Sequence, residues 1–494
     1  MNSIQIPLLI PVTFLFASLL TPLAGLMGRS WAHLVSLAGA VFVFFLSLKG
    51  LGAALAEGPL RYHVSGWLPP MGIEFVLDPL AGFLEVIITG MTVLVLIYAR
   101  KSVEIENPDK AVPFYTLTML LMTGLSGMVI TGDLFNLYVF LEISALAGYA
   151  LLAIGGKRAP FSAFRYLTLG TLGAGFYLMG LVFLFMTTGT LNMADMSKML
   201  PLVNGSFTVT TGLILIILGA GLKMGLFPLH TWLPDAYTNA SSAATSLIAP
   251  VGTKVAAYIM IRMLIISGFP PLIELLTWVS AVGIIAASIL AIAQSDIKRM
   301  LAYSSVANIG YIALGITLAN PLAFIGAMLH ILNHALMKAV LFFAAGGIFN
   351  KMGTRDIFQL RGLPKKMPFT AGAMLIAVFS MVGIPPTGGF FSKIYLIFGA
   401  IEAGTWFFVA VILISTLLNF VYFFRVIQTS FFKPYENAGT TDDDVKYESM
   451  EMDEMSPGML VPTLIISVVI ILVGLFNGAI VDKVITPGHP WFSG

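Results

Sequence analysis

The sequence predicts an all-α polytopic membrane protein of about fourteen transmembrane helices, and three observations predict it. Charged residues make up 10% and hydrophobic residues 58% of 494 positions, whereas a soluble domain carries about 25% charge to cover its surface. Apolar runs of about 20 residues, each long enough at 1.5 Å per residue to cross roughly 30 Å of hydrocarbon, recur along the whole chain. The 26 Lys and Arg residues, finally, are spread unevenly between alternate gaps.

The runs fall at 5–27, 32–54, 79–99, 112–130, 134–154, 165–187, 209–229, 243–267, 271–293, 301–319, 321–349, 369–400, 405–430 and 459–481. The first basic residue, Arg29, follows the first run, so the N-terminus lacks the basic region of a cleavable signal and reads as a retained helix. Residues 55–78 mix Gly, Pro and β-formers and predict a small hairpin with Trp67 at the interface. Residues 442–454 carry seven acids and one Lys, which suits a solvated loop or the docking of a partner.

Gaps after odd-numbered runs hold 17 basic residues, gaps after even-numbered runs hold 5, and four lysines lie inside apolar segments. The positive-inside rule makes the 17-residue side cytoplasmic and puts both termini outside the cell membrane. A net charge of +2 without a basic stripe argues against nucleic-acid binding. The absence of cysteine excludes thiolate-held clusters, catalytic thiols and disulfides. Six histidines without an HExxH motif predict neither a metal nor another cofactor.

An ionisable group at the bilayer centre costs roughly 2.5–3.5 kcal/mol even on the mildest scale. Glu142 lies nine residues, about 13 Å, inside Asp133 on its segment. It is either structural glue between helices or a functional carboxylate, and glue in membranes is usually Ser, Thr or Gly. Lys223 sits among Gly219, Gly221 and Gly225 ahead of Pro228 and Pro234, a pattern for a broken helix whose freed carbonyls can solvate an ion or water. Lys254 is central in its segment, with no acid beside it. His330, His334 and Lys338 recur at i, i+4 and i+8 and line one helix face, a spacing suited to proton exchange. A zinc pair at the two histidines is the alternative, but no third ligand is near. Gly383, Pro385, Pro386, Gly388 and Gly389 precede Lys393 and repeat the device of the seventh run. The two lysines lie on opposite sides of their breaks, which suits inverted topology. Tyr303 and Ser304 either hold a helix entrance or line a cavity, and the structural role is the expectation.

FPLHTWLPDAY (227–237), SDIKRMLAYSSVANIGY (295–311), HILNHALMKAVLFFAAGGI (330–348) and GIPPTGGFFSK (383–393) resemble the antiporter-like membrane subunits shared by Mrp-type Na+/H+ antiporters, respiratory complex I and membrane-bound hydrogenases. GDLFNLYVFLEISALAGYALL (132–152) and GTLNMADMS (189–197) look most like the Mrp D-type subunit. The resemblance implies two inverted five-helix repeats, helices 4–8 and 9–13, with helices 7 and 12 broken. The chain then divides into 1–99 (helices 1–3 with the hairpin), 112–267, 271–430 and 431–494 (acidic loop and helix 14). The resemblance also assigns a proton path to Glu142, Lys223, Lys254, His330, His334, Lys338 and Lys393, with Glu142 pairing with Lys223. Asp133, His230 and Asp235 are accessory candidates.

The expected function is proton translocation in a multisubunit Na+/H+ antiporter, with other integral membrane subunits as partners and H+ and Na+ as transported ions. The same subunit in a redox complex of the hydrogenase or NADH:quinone oxidoreductase kind is the first alternative, and an independent solute carrier the second. A low-dielectric site disfavours the ammonium form of a lysine and a nearby carboxylate favours it, so the Glu142–Lys223 separation would set whether Lys223 holds its proton.

Overall fold

A computed structural model describes residues 3–203, 205–432 and 451–488. The helices are α1 (Ile6–Met27), α2 (Arg29–Glu57), α3 (Pro79–Glu106), α4 (Ala111–Ile130), α5 (Leu134–Ala153), α6 (Ala159–Thr188), the short α7 (Met193–Met199), α8 (Phe207–Met224), α9 (Trp232–Asn239), α10 (Ser242–Ser267), α11 (Pro270–Ile292), α12 (Ile297–Thr317), α13 (Pro321–Met352), the short α14 (Leu363–Lys366), α15 (Pro368–Val382), α16 (Gly388–Glu402), α17 (Trp406–Ile427), α18 (Pro457–Leu475) and the short α19 (Asn477–Ile480). Among the described residues 13 helices are long and apolar enough to span a bilayer. The 15-residue helices α15 and α16 together make the fourteenth crossing.

Contacts between connections test that count. If every predicted segment crosses once, a connection can touch only connections of the same parity. Phe75 bridges to Thr131, Asp133 to Asn192, Gly155 to Ala240 and Asp296 to Asp356, and all four pairs obey the rule. The chain therefore has two faces. The hairpin face carries the antiparallel strands β1 (Leu60–His63) and β2 (Glu74–Leu77), where the sequence placed a hairpin. The basic face carries Arg29, Lys157, Arg158, Lys298, Arg355 and their neighbours. Of the acidic stretch, 442–450 lies outside the described residues. Its end is tied to this chain: Asp453 pairs with Lys351, and the Glu454 carboxylate accepts the backbone N–H of Phe369 at 3.0 Å and of Thr370 at 3.2 Å.

The two repeats are visible in matching details. α4, α5, α6, α8 with α9, and α10 correspond in order to α11, α12, α13, α15 with α16, and α17. Asp133 caps α5 by accepting the Asn136 N–H, and Asp296 caps α12 by accepting the Arg299 N–H. Each capping residue bridges to the connection that follows the third helix of its own repeat. These matched features lie on opposite faces, as five crossings per repeat dictate.

Both predicted helix breaks are present. α8 ends at Gly225 with φ 76°, and α15 ends at Gly383 with φ 91°, backbone angles that favour residues without a Cβ. Across the first break the Trp232 indole donates to the Leu222 carbonyl at 2.9 Å, which satisfies one of the acceptors that the helix end leaves open. α6 lies close against α8 because glycines face each other: a Cβ at Gly180 would stand 2.5 Å from the Gly212 carbonyl oxygen, and one at Gly219 2.5 Å from that of Gly173. α10, α12 and α13 form the buried centre, while α1, α2, α6, α11 and α17 turn large apolar side chains outward.

Candidate functional site

The first break brings Lys223 to the last turn of α8, where its ammonium donates to the Tyr149 hydroxyl at 2.8 Å. The same ammonium sits over the rings of Tyr149 at 5.0 Å and Tyr166 at 5.7 Å. The expected contact pair with Glu142 is not formed, although Glu142 stays within electrostatic reach of the ammonium. Glu142 stands seven residues before Tyr149 on α5, about 10 Å along the same helix face. The tyrosine hydroxyl, two turns nearer, takes the contact. Tyr149 is the partner that sequence reasoning missed, although its position at i+7 from Glu142 was a readable signal.

A cavity of about 50 Å³ lies between Lys223 and the centre of α10, lined among others by Tyr166, Lys223, Trp232 and Thr253. Its volume holds a few water molecules. Beyond it Lys254, fully buried, donates to the Ala249 carbonyl at 2.6 Å and to the Thr253 hydroxyl at 3.2 Å. Pro250 helps here, since it removes the N–H that would otherwise bond the Ser246 carbonyl and so loosens the helix beside the amine.

The second half of the row is built from two antiparallel helices whose side chains interleave. On α13, His330, His334 and Lys338 are all completely buried. On α12, Ser304 and Asn308 face them at i and i+4. Lys338 donates to the Ser304 hydroxyl and, at 2.8 Å, to the Leu301 carbonyl. Asn308 donates to the Ser304 carbonyl at 2.6 Å, which turns its own oxygen toward the His330 Nε2 at 3.0 Å. That assignment makes Nε2 the donor, and Nδ1 then accepts from Ser392, 3.0 Å away, when the ring is neutral. The expectation that Tyr303 and Ser304 only hold a helix entrance is thus corrected for Ser304, which touches the row directly. His334 has no hydrogen-bond partner at either ring nitrogen, and its ring lies 6.1 Å from that of His330. Lys254, Lys338 and His330 all lie within electrostatic reach of it.

Ser392 leads to Lys393, in the first helical turns after the second break. Its ammonium donates to the carbonyls of Met381 at 2.8 Å and Val382 at 3.1 Å and lies 5.4 Å from the Tyr311 ring centre. Those carbonyls belong to the open end of α15, where the helix dipole favours a cation.

The accessory candidates lie off this row. Asp133 is a helix cap. Asp235 is held between Arg165 and, at 3.0 Å, Arg299, and so ties α9 to α6 and α12. His230 stacks on Phe227 with ring centres 5.2 Å apart, and its Nδ1 is buried without a partner. No group of three or more His, Asp or Glu side chains converges to hold a metal among the described residues.

The family described as NADH:quinone oxidoreductase/Mrp antiporter, TM matches residues 131–419. A NADH-quinone oxidoreductase N-type subunit of Desulforudis audaxviator is 45% identical over 99% of both chains. The D-type subunit of the Na(+)/H(+) antiporter of Alkalihalophilus pseudofirmus is 30% identical over 85% of this chain and 84% of its own. Among solved structures, a chain of the membrane-bound sulfane sulfur reductase, an archaeal respiratory membrane complex, superposes with a TM-score of 0.90 at 29% identity and covers 98% of this chain and 97% of its own. With a sequence match over more than half its length and relatives aligned nearly end to end, the chain belongs to the NADH:quinone oxidoreductase/Mrp antiporter transmembrane family.

Proposed function

We propose that this chain is the proton-translocating subunit of a multisubunit cation/proton antiporter, moving H+ along the row of Glu142, Lys223, Lys254, His330, His334, Lys338 and Lys393. The observation that carries the reading is a series of ionisable side chains inside the helix bundle: Lys223 and Thr253, the neighbour of Lys254, line one small cavity, His334 lies within electrostatic reach of Lys254, Lys338 and His330, and His330 within reach of Lys393. Lys254 and Lys338 flank His334 and repel each other when both are charged. A proton arriving at one therefore pushes a proton off the other, and the sites titrate as a set. Approach of the Glu142 carboxylate toward Lys223 favours the ammonium form there, and its withdrawal releases the proton toward Thr253 and Lys254.

The surroundings supply an inlet and a partner surface. On the basic face a cavity of about 520 Å³ is lined by Glu106, Lys157, Arg158, Lys298 and Arg355 among others. We assign this face to the cytoplasm of a cell membrane by its excess of basic residues, which places both termini outside. Glu142 is partly exposed on a stripe formed by Phe135, Val139 and Leu146. A carboxylate left in lipid costs roughly 2.5–3.5 kcal/mol, so that stripe is where a neighbouring integral membrane subunit packs. Na+ is repelled by a row of lysines and is assigned to another subunit of the complex.

The test is flux through the whole complex in proteoliposomes, with H+ and Na+ followed separately. Lys223→Ala and Lys393→Ala in assembled complexes should each abolish H+ flux, and full transport in either contradicts the reading. One observation favours a second parent complex: the relative that is 45% identical along its whole length is a NADH-quinone oxidoreductase subunit. Purification through a tag on this chain separates the two, since redox subunits and quinone-dependent electron transfer accompany it in one case and other antiporter subunits in the other.

A further inference from the structure

Several described carboxylates that serve structure are held by arginine or amide donors. Glu74 takes Arg61 at 3.0 Å and Asn192 at 2.8 Å, Asp78 takes Arg262 at 2.5 Å, and Asp235 takes two arginines. Glu85, in the second turn of α3, is different. Its residue is 0% exposed, one carboxyl oxygen accepts the Ser126 hydroxyl of α4 at 3.1 Å, and the other has no hydrogen-bond partner.

What surrounds Glu85 gives that free oxygen a use. Asp78 caps α3 seven residues earlier on the same face, about 10 Å toward the hairpin face. From α10, Tyr258 comes within electrostatic reach of both acids. The Tyr258 hydroxyl donates to the Val129 carbonyl at 2.8 Å and accepts from the Arg262 Nε at 2.8 Å, while Arg262 holds Asp78. On the far side of this plug a cavity of about 200 Å³ opens on the hairpin face, lined by Arg61, Glu74, Asp78, Ser197, Tyr258 and Arg262 among others. On its inner side the same α10 face leads to the proton row, because Lys254, Tyr258 and Arg262 recur at i, i+4 and i+8. α10 thus joins the middle of the row to a solvent-facing chamber, and Glu85 stands beside that line.

We propose that Glu85 is the site at which the row exchanges protons with the hairpin face, gated by the Tyr258, Arg262 and Asp78 plug. The ammonium of Lys254, swung one turn toward Tyr258, gives its proton to the Glu85 carboxylate and becomes a neutral amine. When Arg262 and Asp78 part, the O–H bond of the Glu85 carboxylic acid breaks, the proton passes to water in the chamber, and the carboxylate is ready for another cycle. This inference rests on the row described above and adds a branch that the row does not require.

The experiment uses the whole complex in proteoliposomes. Glu85→Gln keeps the size and the Ser126 hydrogen bond but holds no exchangeable carboxyl proton, and should lower H+ flux on the order of a hundredfold, as loss of a proton-transfer group does. Lys254→Ala in parallel separates the two claims. Flux lost in Lys254→Ala but intact in Glu85→Gln overturns the branch and leaves the row standing, and flux intact in both overturns both. Loss of Na+ flux alone in Glu85→Gln also overturns the proposal, because it makes Glu85 a cation site. A second measurement does not depend on how Glu85 variants fold. The chain has no cysteine, so Ser197→Cys gives it a single thiol at the chamber mouth, on an exposed residue. A bulky membrane-impermeant thiol reagent added from the hairpin face should block flux in this variant and leave the parent complex untouched. Undiminished flux after complete labelling contradicts the proposal.

Discussion

The two broken helices share one sequence device, glycines and prolines beside a buried lysine, yet they hold the charge in different ways. At the first break Lys223 precedes the gap, is partly exposed, and rests on a tyrosine hydroxyl and two aromatic faces, with the Glu142 carboxylate two helical turns before that tyrosine on α5. At the second break Lys393 follows the gap, is 5% exposed, and is fixed by two carbonyls at the end of α15. Side chains surround the first lysine, whereas the second is anchored by backbone. The difference teaches that a repeat can preserve a charge while changing how easily that charge is perturbed. In this chain the first break is the adjustable end and the second the fixed end.

The comparison predicts unequal consequences. Lys393→Ala should have the largest effect, because it removes flux and leaves two buried carbonyls unpaired at about 1–3 kcal/mol each. Its assembled complex should melt clearly below the parent in a thermal unfolding assay. Lys223→Ala should remove flux equally but cost about 1 kcal/mol or less in stability, since only one part-buried hydroxyl loses its partner. Equal melting temperatures for the two variants break the comparison. Tyr149→Phe comes next, with flux expected to fall about tenfold, the factor equivalent to roughly 1.4 kcal/mol, as Lys223 loses its hydrogen bond but keeps the aromatic face. Tyr166→Phe, which retains its ring under the same ammonium, is the control and should change flux less than about twofold. Ser304→Ala should be mildest, about threefold, because Lys338 still reaches the Leu301 carbonyl.

Much of this was legible in the sequence because a bilayer leaves few solutions. Apolar length marked all fourteen crossings, and the pairs of Gly and Pro marked both breaks, since only interrupted helices place open carbonyls beside an amine. The helical spacing of His330, His334 and Lys338 fixed their common face. Partner identity was less legible. Lys223 was expected to meet a carboxylate and meets Tyr149 instead, because a hydroxyl competes for an ammonium without standing out among the charges. Ser304 and Asn308 were hidden for the same reason: neutral residues draw no notice until the antiparallel packing of α12 on α13 sets them against Lys338 and His330. Glu85 differs from both, since a lone acid two turns inside an apolar run is itself a readable signal of an intramembrane charge.

The central claim is that residues of both repeats form one coupled path, and a double-variant cycle on proton flux measures it most directly. Lys223→Ala, Lys393→Ala and the double variant are compared in assembled complexes, with the weaker substitutions Tyr149→Phe and Ser304→Ala as a second cycle that leaves measurable flux. One path predicts that the double variant is little slower than the slower single one. Single variants that each keep a large share of the flux, with full loss only in the double variant, as two parallel routes give, contradict the account.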